Sequence, residues 1–160
     1  MTQMLDRRRF LFASVLTVAL APGAAALAAI DPAWRKLTDA QWKARLAPDA
    51  YRVLRREDTE RPGSSRLLAE HRAGTFVCAG CGWSLFKSTA KYESGTGWPS
   101  FFTSIGGGVI KKPDYALGML RTEYHCAQCG GHQGHVFNDG PRPTGLRYCN
   151  NGLALRFVPV

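Results

Sequence analysis

Residues 126–151 read CAQCGGHQGHVFNDGPRPTGLRYCNN, a stretch with three of the chain's five cysteines and two of its four histidines. Its first pair, Cys126 and Cys129, has the C-x-x-C spacing of an earlier pair, Cys78 and Cys81. Two residues between ligands let the chain turn so that both sulfurs face one point, and two such turns together form a tetrahedral zinc site. Four thiolates fill the coordination of zinc, so the sequence predicts a structural zinc ion that joins two distant parts of one domain.

The same four cysteines could instead form structural disulfides in an exported protein. Disulfides within C-x-x-C turns are more typical of redox sites than of structural cross-links, which favours zinc. Structural zinc in a small peptide contributes on the order of 10–16 kcal/mol, against a net stability of roughly 5–15 kcal/mol for a typical protein. Loss of one thiolate is therefore expected to unfold the domain.

The fifth cysteine, Cys149, stands alone near the C-terminus. Arg147 precedes it by two residues and Asn151 follows it by two, so in an extended strand the three side chains share one face. A nearby guanidinium lowers the pKa of a thiol and favours the reactive thiolate. A lone cysteine is more commonly a small buried apolar residue, so its interpretation as a nucleophile depends on its neighbours.

The neighbours of this lone cysteine favour chemistry. His132 and His135 lie three residues apart in a glycine-rich segment with Asp139 close behind, a combination typical of acid–base groups. A second cluster, YESGTGWPSFF at residues 92–102, places Trp98 on a glycine–proline turn. A tryptophan there commonly packs in the core, but it can also form the wall of a small apolar pocket.

Residues 1–29 have the pattern of an export signal. A charged start precedes an apolar run over residues 10–21, which is too short to span a bilayer comfortably, and residues 26–28 give the A-x-A form of a cleavage site. RRRFL at residues 7–11 resembles the twin-arginine signal, with Asp6 in place of the usual Ser or Thr. An ordinary secretory signal is the alternative. The pattern predicts a periplasmic protein without a stable membrane anchor.

Residues 30–160 are expected to form one domain of mainly β structure. Two short helices are predicted within residues 37–58, the first of them capped by Thr38 or Asp39, and strands dominate from Gly74 onward. The formal net charge of +9 raises the question of nucleic acid. The basic residues are scattered rather than clustered, which favours a soluble protein that binds no nucleic acid, and no pattern indicates oligomerisation, so we expect a monomer.

Several motifs together resemble the B-type methionine sulfoxide reductases, which act on the R epimer of methionine sulfoxide. In chain order they are LTDAQWKARL, TERPGSS, FVCAGCGWSLF, KYESGTGWPSF, the opening stretch and LALRF, and they span about residues 35–160. The resemblance implies two antiparallel sheets, short N-terminal helices and a zinc ion held by the two C-x-x-C pairs.

The resemblance assigns the chemistry to the lone cysteine. Cys149 corresponds to the nucleophile, whose thiolate attacks the sulfoxide sulfur and leaves a cysteine sulfenic acid together with methionine. His132 and His135 correspond to the pocket histidines that supply protons to the sulfoxide oxygen.

The remaining roles belong to residues that hold the substrate or the catalytic groups. Asn151 corresponds to the asparagine that helps to fix the sulfoxide, and Trp98 to the indole that receives the substrate's methyl group. Asp139 and Arg147 correspond to positions that orient a histidine and bias the nucleophile toward thiolate.

Two positions depart from the family pattern. Thr96 stands where many members have a resolving cysteine, and Gly152 where many have Ser, a difference that the sequence does not explain. With four cysteines on zinc and one as nucleophile, the sulfenic acid is expected to be reduced by an external thiol, such as a thioredoxin-like protein or a small thiol. The alternatives are a zinc-stabilised binding module without catalytic activity and a disulfide-bonded exported structural protein.

Overall fold

The computed structural model describes residues 29–116 and 118–160, and the export signal predicted for residues 1–29 lies outside them except for its last position. Two short α-helices open the fold, as predicted: α1 spans Asp39–Arg45 and α2 spans Pro48–Arg56. Short 3-10 turns occupy Pro32–Lys36, Arg66–Ala69, Ser88–Ala90 and Gly152–Ala154.

Both helices begin where local chemistry favours it. The Thr38 hydroxyl accepts from the Gln41 backbone N–H at 3.3 Å, and the Gln41 side chain accepts from the Thr38 N–H at 2.8 Å, which completes the predicted capping box. Pro48 suits the first turn of α2 because its missing N–H has no helical partner there. The helix buries Val53 and Leu54 against the sheets.

Nine strands in the described residues form two antiparallel sheets, as the resemblance implies. Their bounds are β1 Gly74–Cys78, β2 Ser84–Lys87, β3 Lys91–Tyr92, β4 Ser100–Phe101, β5 Val109–Asp114, β6 Arg121–Cys126, β7 His132–Phe137, β8 Arg147–Asn150 and β9 Leu155–Pro159. The smaller sheet has the order β2-β1-β9 and the larger has the order β3-β4-β8-β7-β6-β5.

An aromatic cluster with members from both sheets forms the centre of the core. Phe86 of the smaller sheet stacks on Phe101 of the larger one with ring centroids 4.1 Å apart, and Phe76 meets Phe101 edge-on at 5.0 Å. Tyr124 and Tyr148 pack against each other at 5.3 Å. Each such pair stabilises the fold by about 0.5–1.5 kcal/mol beyond the burial of its area.

Strand alternation on β8 decides which side chains are left for chemistry. Tyr148 and Asn150 face the core, where Asn150 Oδ1 accepts a 2.7 Å hydrogen bond from the Tyr124 hydroxyl. Successive side chains of a strand point to opposite faces, so Arg147 and Cys149 lie on the other face of the larger sheet.

Among the described residues, no helix has the length and apolar character that crossing a membrane requires.

Candidate active site and metal cluster

A pocket of about 150 Å³ contains the lone cysteine. Four residues predicted from the sequence line it: Trp98, His135, Cys149 and Asn151. Four further lining residues were not predicted: Thr59, Arg121, Phe137 and Asn150. Three predicted site residues do not line the pocket. His132 contacts His135 and Arg147 contacts Phe137, both of which line it, and Asp139 contacts Arg147.

Cys149 lies within β8, between two partner strands. Sheet register sets it opposite His135 of β7 on one side and opposite Ser100 of β4 on the other. Side chains directly opposite one another in an antiparallel pair have Cβ atoms about 4.5–5.5 Å apart. Cys149 therefore lies between His135 and Ser100 on one face of the larger sheet.

The thiol of Cys149 is half-buried, and burial raises its pKa. The positive charge of Arg147, with hydrogen-bonding groups of Thr96 and Arg147, acts in the opposite direction without reversing the effect, so the net pKa is above its ordinary value. From the sequence, Arg147 was expected to lower the pKa of Cys149. The difference arises because desolvation of the thiolate in the pocket outweighs one partly shared guanidinium charge.

Arg147 shares its charge with Asp139. Its Nε and one terminal nitrogen donate to the two Asp139 carboxylate oxygens, both at 2.8 Å. The guanidinium also lies 4.4 Å from the centre of the Phe137 ring. Asp139 was expected to orient a histidine, whereas in the structure it holds Arg147, and other carboxylates contact the histidines.

His135 is held by Asp114, the last residue of β5. Its Nε2 lies 2.8 Å from Asp114 Oδ2, and that carboxylate also accepts from Arg121 at 2.5 Å. The Ala116 backbone N–H and the contact with His135 hold the pKa of Asp114 well below its ordinary value, so the carboxylate is ionised at neutral pH. With Nε2 engaged, Nδ1 is the ring nitrogen of His135 that remains for a ligand.

His132 is almost fully buried and pairs with Glu123 of β6. Its Nδ1 lies 2.5 Å from Glu123 Oε1, and its ring centroid is 5.7 Å from that of His135. Its Nε2 is buried without a hydrogen-bond partner within the described residues. Burial lowers the pKa of His132, with Glu123 opposing, so the imidazole is neutral at pH 7.

Glu123 and Asp114 were missed in the sequence, although a signal for Glu123 was present. RTEYHC alternates Arg121, Glu123 and His125 with Tyr124, the pattern of a strand with one polar and one core face. Burial acts against ionisation, but Lys112 at 3.0 Å and His125 hold the pKa of Glu123 below its ordinary value. Each of the two histidines, His132 and His135, is therefore paired with an ionised carboxylate.

Glu60 connects the two residues expected to hold the substrate. Its backbone C=O accepts from Trp98 Nε1 at 3.1 Å, and its N–H donates to Asn151 Oδ1, also at 3.1 Å. Asn151 Nδ2 donates to the Gln133 carbonyl at 3.2 Å. The Asn151 amide thus bridges two backbone segments and keeps one of its N–H hydrogens for a ligand.

The structure explains Gly152. The buried Glu60 carboxylate accepts from the Gly152 N–H and from the Leu153 N–H, the latter at 3.2 Å. A Cβ at position 152 would collide with the side chain of Ser65. The space that a side chain at 152 would need is filled by Ser65.

The four remaining cysteines meet at one end of the two sheets. Cys78 ends β1 and Cys126 ends β6, and all four sulfurs lie within 4.8 Å of one another. The Cys78–Cys129 sulfurs are 3.7 Å apart and the Cys81–Cys126 sulfurs 3.5 Å. Four thiolates around a tetrahedral metal with bonds of about 2.3 Å would be about 3.8 Å apart, so the residues fit a metal site.

Gln133 contacts both the metal cluster and the pocket. Its Nε2 donates to Cys78 Sγ at 3.5 Å, and its Oε1 lies 3.5 Å from Asn150 Nδ2. Its backbone C=O accepts from the Asn151 N–H at 2.8 Å. This fully buried side chain therefore lies between the cluster and the two residues that follow Cys149.

A lone thiol opposite a carboxylate-supported histidine, remote from a closed thiolate cluster, is the side-chain set of a cysteine-dependent enzyme with a structural metal. Residues 46–159 match the SelR domain family. The peptide methionine sulfoxide reductase MsrB of Leptospira interrogans is 54% identical over 121 residues, which cover 75% of this chain and 92% of that protein. The MsrB proteins of Bradyrhizobium diazoefficiens and Thiobacillus denitrificans are 54% and 50% identical, covering 76% of this chain and 88% and 93% of their own. The chain belongs to the MsrB family.

Proposed function

We propose that this chain reduces methionine R-sulfoxide in oxidised proteins to methionine, with Cys149 as the nucleophile and an external thiol as the reductant. The observation that carries the proposal is the lone Cys149 thiol opposite His135 in a pocket that Trp98 lines, apart from the four clustered cysteines. The MsrB relatives are named peptide methionine sulfoxide reductases, which supports the reduction of methionine sulfoxide in general.

In the first step the Cys149 thiolate attacks the sulfoxide sulfur. A sulfur–sulfur bond forms while the sulfoxide oxygen takes up a proton, and transfer of that oxygen to Cys149 then releases methionine. The cysteine is oxidised to a sulfenic acid by two electrons, and the substrate sulfur is reduced by the same two. A soft thiolate suits this attack better than an oxygen nucleophile would.

The proton for the sulfoxide oxygen comes from the histidine side of the pocket. His135 lines the pocket, and the ionised Asp114 carboxylate holds its ring in place through Nε2. His132 packs behind it and is paired with Glu123. Trp98 offers an apolar wall for the substrate's S-methyl group, and Asn151 offers its remaining N–H to the oxygen.

An external thiol completes the cycle because Thr96 replaces the resolving cysteine. Thr96 lies close enough to affect the Cys149 thiol, so a cysteine at position 96 would be within reach of it. A reductant thiol displaces water from the Cys149 sulfenic acid and forms a mixed disulfide with Cys149. A second thiol then attacks the reductant's sulfur, which frees the Cys149 thiolate and leaves the reductant as a disulfide. Thioredoxin-like proteins and small thiols both supply this chemistry.

Dimedone, which traps sulfenic acids, tests the recycling step. After one equivalent of peroxide, the wild type should carry one dimedone adduct on Cys149. The variant Thr96→Cys should instead lose two thiols and form a disulfide between positions 96 and 149. A disulfide from Cys149 to another cysteine in the wild type would refute external recycling.

The metal in the four-cysteine cluster is proposed to be zinc in a structural role. Tetrahedral thiolate ligation suits zinc, and four protein ligands leave no position for substrate. Metal analysis should return about one zinc per chain. Two disulfides without zinc would support an exported structural protein instead.

Residues 1–29 are proposed to direct the chain to the periplasm by the twin-arginine route, leaving residues 30–160 as a monomeric reductase domain. The order of charged, apolar and small residues supports this proposal. Replacing Arg7 and Arg8 by Lys should abolish export of the full chain. Unchanged export would indicate the ordinary secretory route.

An epimer-resolved assay tests the function itself. With dithiothreitol as reductant, the wild type should reduce N-acetylmethionine R-sulfoxide and leave the S epimer unchanged. Cys149→Ser should have no detectable activity while its circular dichroism and metal content match the wild type. Equal activity of the variant would exclude the mechanism and favour a binding module, which does not need this thiol.

A further inference from the structure

Arg121, the first residue of β6, is the only Lys or Arg among the described residues that line the Cys149 pocket. One terminal nitrogen of its guanidinium donates to Asp114 Oδ2 at 2.5 Å. Its Nε is buried without a hydrogen-bond partner, and its second terminal nitrogen bonds no acceptor in the described part of the chain. Since donors in protein interiors are normally paired, this guanidinium on the pocket wall has donor capacity for a ligand.

Asp114 determines which kind of ligand suits this donor. Its ionised carboxylate balances the charge of the Arg121 guanidinium and also contacts His135. A neutral acceptor therefore suits Arg121 better than a second carboxylate, which would lie beside the first. The backbone carbonyl oxygen is a strong neutral acceptor that every residue of a polypeptide substrate carries.

Sheet register gives the distance from Arg121 to the reacting sulfur. Cys149, His135 and Glu123 are aligned across β8, β7 and β6. Arg121 lies two residues before Glu123 and so on the same face of the sheet. Two strand spacings of about 4.8 Å and two residues of about 3.3 Å give a Cα–Cα distance from Cys149 on the order of 12 Å. Asp114 is on β5, beyond β6 as seen from Cys149, so it does not draw the guanidinium toward the sulfur.

This distance fits the main chain of the substrate rather than its sulfoxide group. The attacked sulfur lies about 3–3.5 Å from the Cys149 sulfur, and the sulfoxide oxygen is only one bond further away. Five bonds of about 1.5 Å join the sulfur of methionine to its carbonyl oxygen, which therefore extends roughly 6 Å beyond the sulfur. A hydrogen bond of about 2.9 Å to that oxygen brings the reach to the position of Arg121.

We propose that Arg121 binds a main-chain carbonyl oxygen of the oxidised methionine residue, through the terminal nitrogen that Asp114 does not hold. The inference rests on the proposed function and adds a substrate-binding residue to it. Asp114 contacts both the His135 ring and Arg121, so one carboxylate holds the ring and the main-chain contact in a fixed relation. A substrate held at its main chain as well as its sulfoxide is better oriented for attack.

Two sulfoxides that differ in their main-chain groups test the proposal. N-acetylmethionine R-sulfoxide N-methylamide has the carbonyl groups, whereas the matched enantiomer of methyl propyl sulfoxide has only the atoms from the S-methyl group to Cα. In Arg121→Met the ratio of kcat/KM for the amide to kcat/KM for methyl propyl sulfoxide should fall about tenfold, because a charge-assisted hydrogen bond is lost. A loss shared by both substrates reports on Asp114 and His135, and it cancels in the ratio.

Arg121→Lys keeps a positive charge beside Asp114 but has a single nitrogen, which cannot hold Asp114 and reach the substrate as the planar guanidinium does. It should show the same fall in the ratio and keeps the test available if Arg121→Met does not fold. Arg156→Met, on β9 of the other sheet, should leave the ratio at its wild-type value. An unchanged ratio in Arg121→Met, or in Arg121→Lys where the former does not fold, would overturn the inference.

The wild type separates this inference from the proposed function. If it reduces neither sulfoxide, the proposed function is wrong. If it reduces both and the Arg121 variants keep the wild-type ratio, only the role of Arg121 is wrong, and its guanidinium serves to hold Asp114.

Discussion

The four-cysteine cluster and the Cys149 pocket use the same side chain for opposite purposes. In the cluster, every sulfur has three others within 4.8 Å, and the closest pairs join the two C-x-x-C turns. In the pocket, one sulfur faces His135 and Ser100 across neighbouring strands. Four thiolates saturate a metal and become inert, whereas one thiolate beside proton-bearing groups stays available.

The position of each sulfur in its strand explains the difference. Cys78 and Cys126 end β1 and β6, so the chain can turn there and present a second sulfur three residues later. Cys149 lies inside β8, where pleating fixes its direction and leaves no turn to bring in another cysteine. Substitutions in the cluster should therefore reduce folding and metal binding, whereas substitutions in the pocket should reduce activity.

The largest effect is expected from breaking the cluster. Cys126→Ser removes one of four thiolates and should unfold the chain if the cluster binds zinc as proposed, because structural zinc contributes on the order of 10–16 kcal/mol against a net stability of roughly 5–15 kcal/mol. Circular dichroism and bound metal measure the loss. Cys149→Ser is the matched control and should retain both. A folded, metal-free Cys126→Ser chain would show that the cluster does not carry the stability.

The second effect concerns the backbone behind the lone sulfur. Gly134 has φ +155°, and a Cβ there would collide with the Cys149 carbonyl oxygen. Gly134→Ala should cost about 2–4 kcal/mol of unfolding free energy and lower kcat about a hundredfold, because β7 must move away from β8.

Gly106→Ala is the control for that glycine, since a Cβ at position 106 meets no atom within 4 Å. It should leave unfolding midpoint and kcat close to wild type. Equal behaviour of the two alanine variants in denaturant titration and assay would contradict the close approach of β7 and β8 at Gly134.

How much the sequence could predict differs between the regions as well. The C-x-x-C turns, the capping box at Thr38 and the strand alternation around Cys149 are local patterns, and the structure has each of them. The supports of the histidines are not local. Asp114 reaches His135 from 21 residues away, and sheet register, which single-sequence spacing does not give, decides that contact.

The spacing of the histidines shows a second limit. Residues three apart in a regular strand point to opposite faces, yet His132 and His135 both lie over β6, opposite His125 and Glu123. The pairing of β6 and β7 is irregular between Tyr124 and His125, where Gln133 is an extra residue without a partner on β6. This bulge brings the side chains of His132 and His135 to the same face of the sheet. The same irregularity places Gln133 against the cluster, a link that the sequence does not reveal.

The third effect tests whether the two regions are independent. Gln133→Leu keeps the volume of this buried side chain but removes its bonds to Cys78 Sγ and Asn150. Two such hydrogen bonds contribute about 0.5–1.5 kcal/mol each, so kcat should fall about tenfold and bound metal should exchange faster. Cobalt substitution, read from its thiolate charge-transfer band, measures the change at the cluster.

Gln128→Leu is the control for Gln133, because Gln128 is also buried but bonds only the Asp31 N–H among the described residues. It should change kcat less than twofold. A Gln133→Leu chain with wild-type kcat and metal exchange would show that the cluster and the pocket act separately.

The smallest effect concerns the charge beside the lone sulfur. Burial raises the pKa of Cys149 and Arg147 opposes this, so alkylation of Cys149 by iodoacetamide should still be increasing above neutral pH, by nearly tenfold per pH unit below the pKa. Arg147→Gln removes the opposing charge and moves the pKa further up. A smaller fraction of thiolate follows at any given pH, and the alkylation rate at pH 7.5 should fall about threefold or more.

Mass spectrometry of the peptide containing Cys149 measures that rate separately from the four clustered thiols. Arg147→Lys keeps the positive charge but not the two-point contact with Asp139. Cys149 of this variant should therefore be alkylated at close to the wild-type rate. Arg156→Gln, on β9 of the other sheet, should not shift the profile. If Arg147→Lys is as slow as Arg147→Gln, Arg147 acts by holding Asp139 rather than by its charge. Cys149 would then depend on the geometry of its pocket alone, as the clustered sulfurs depend on theirs.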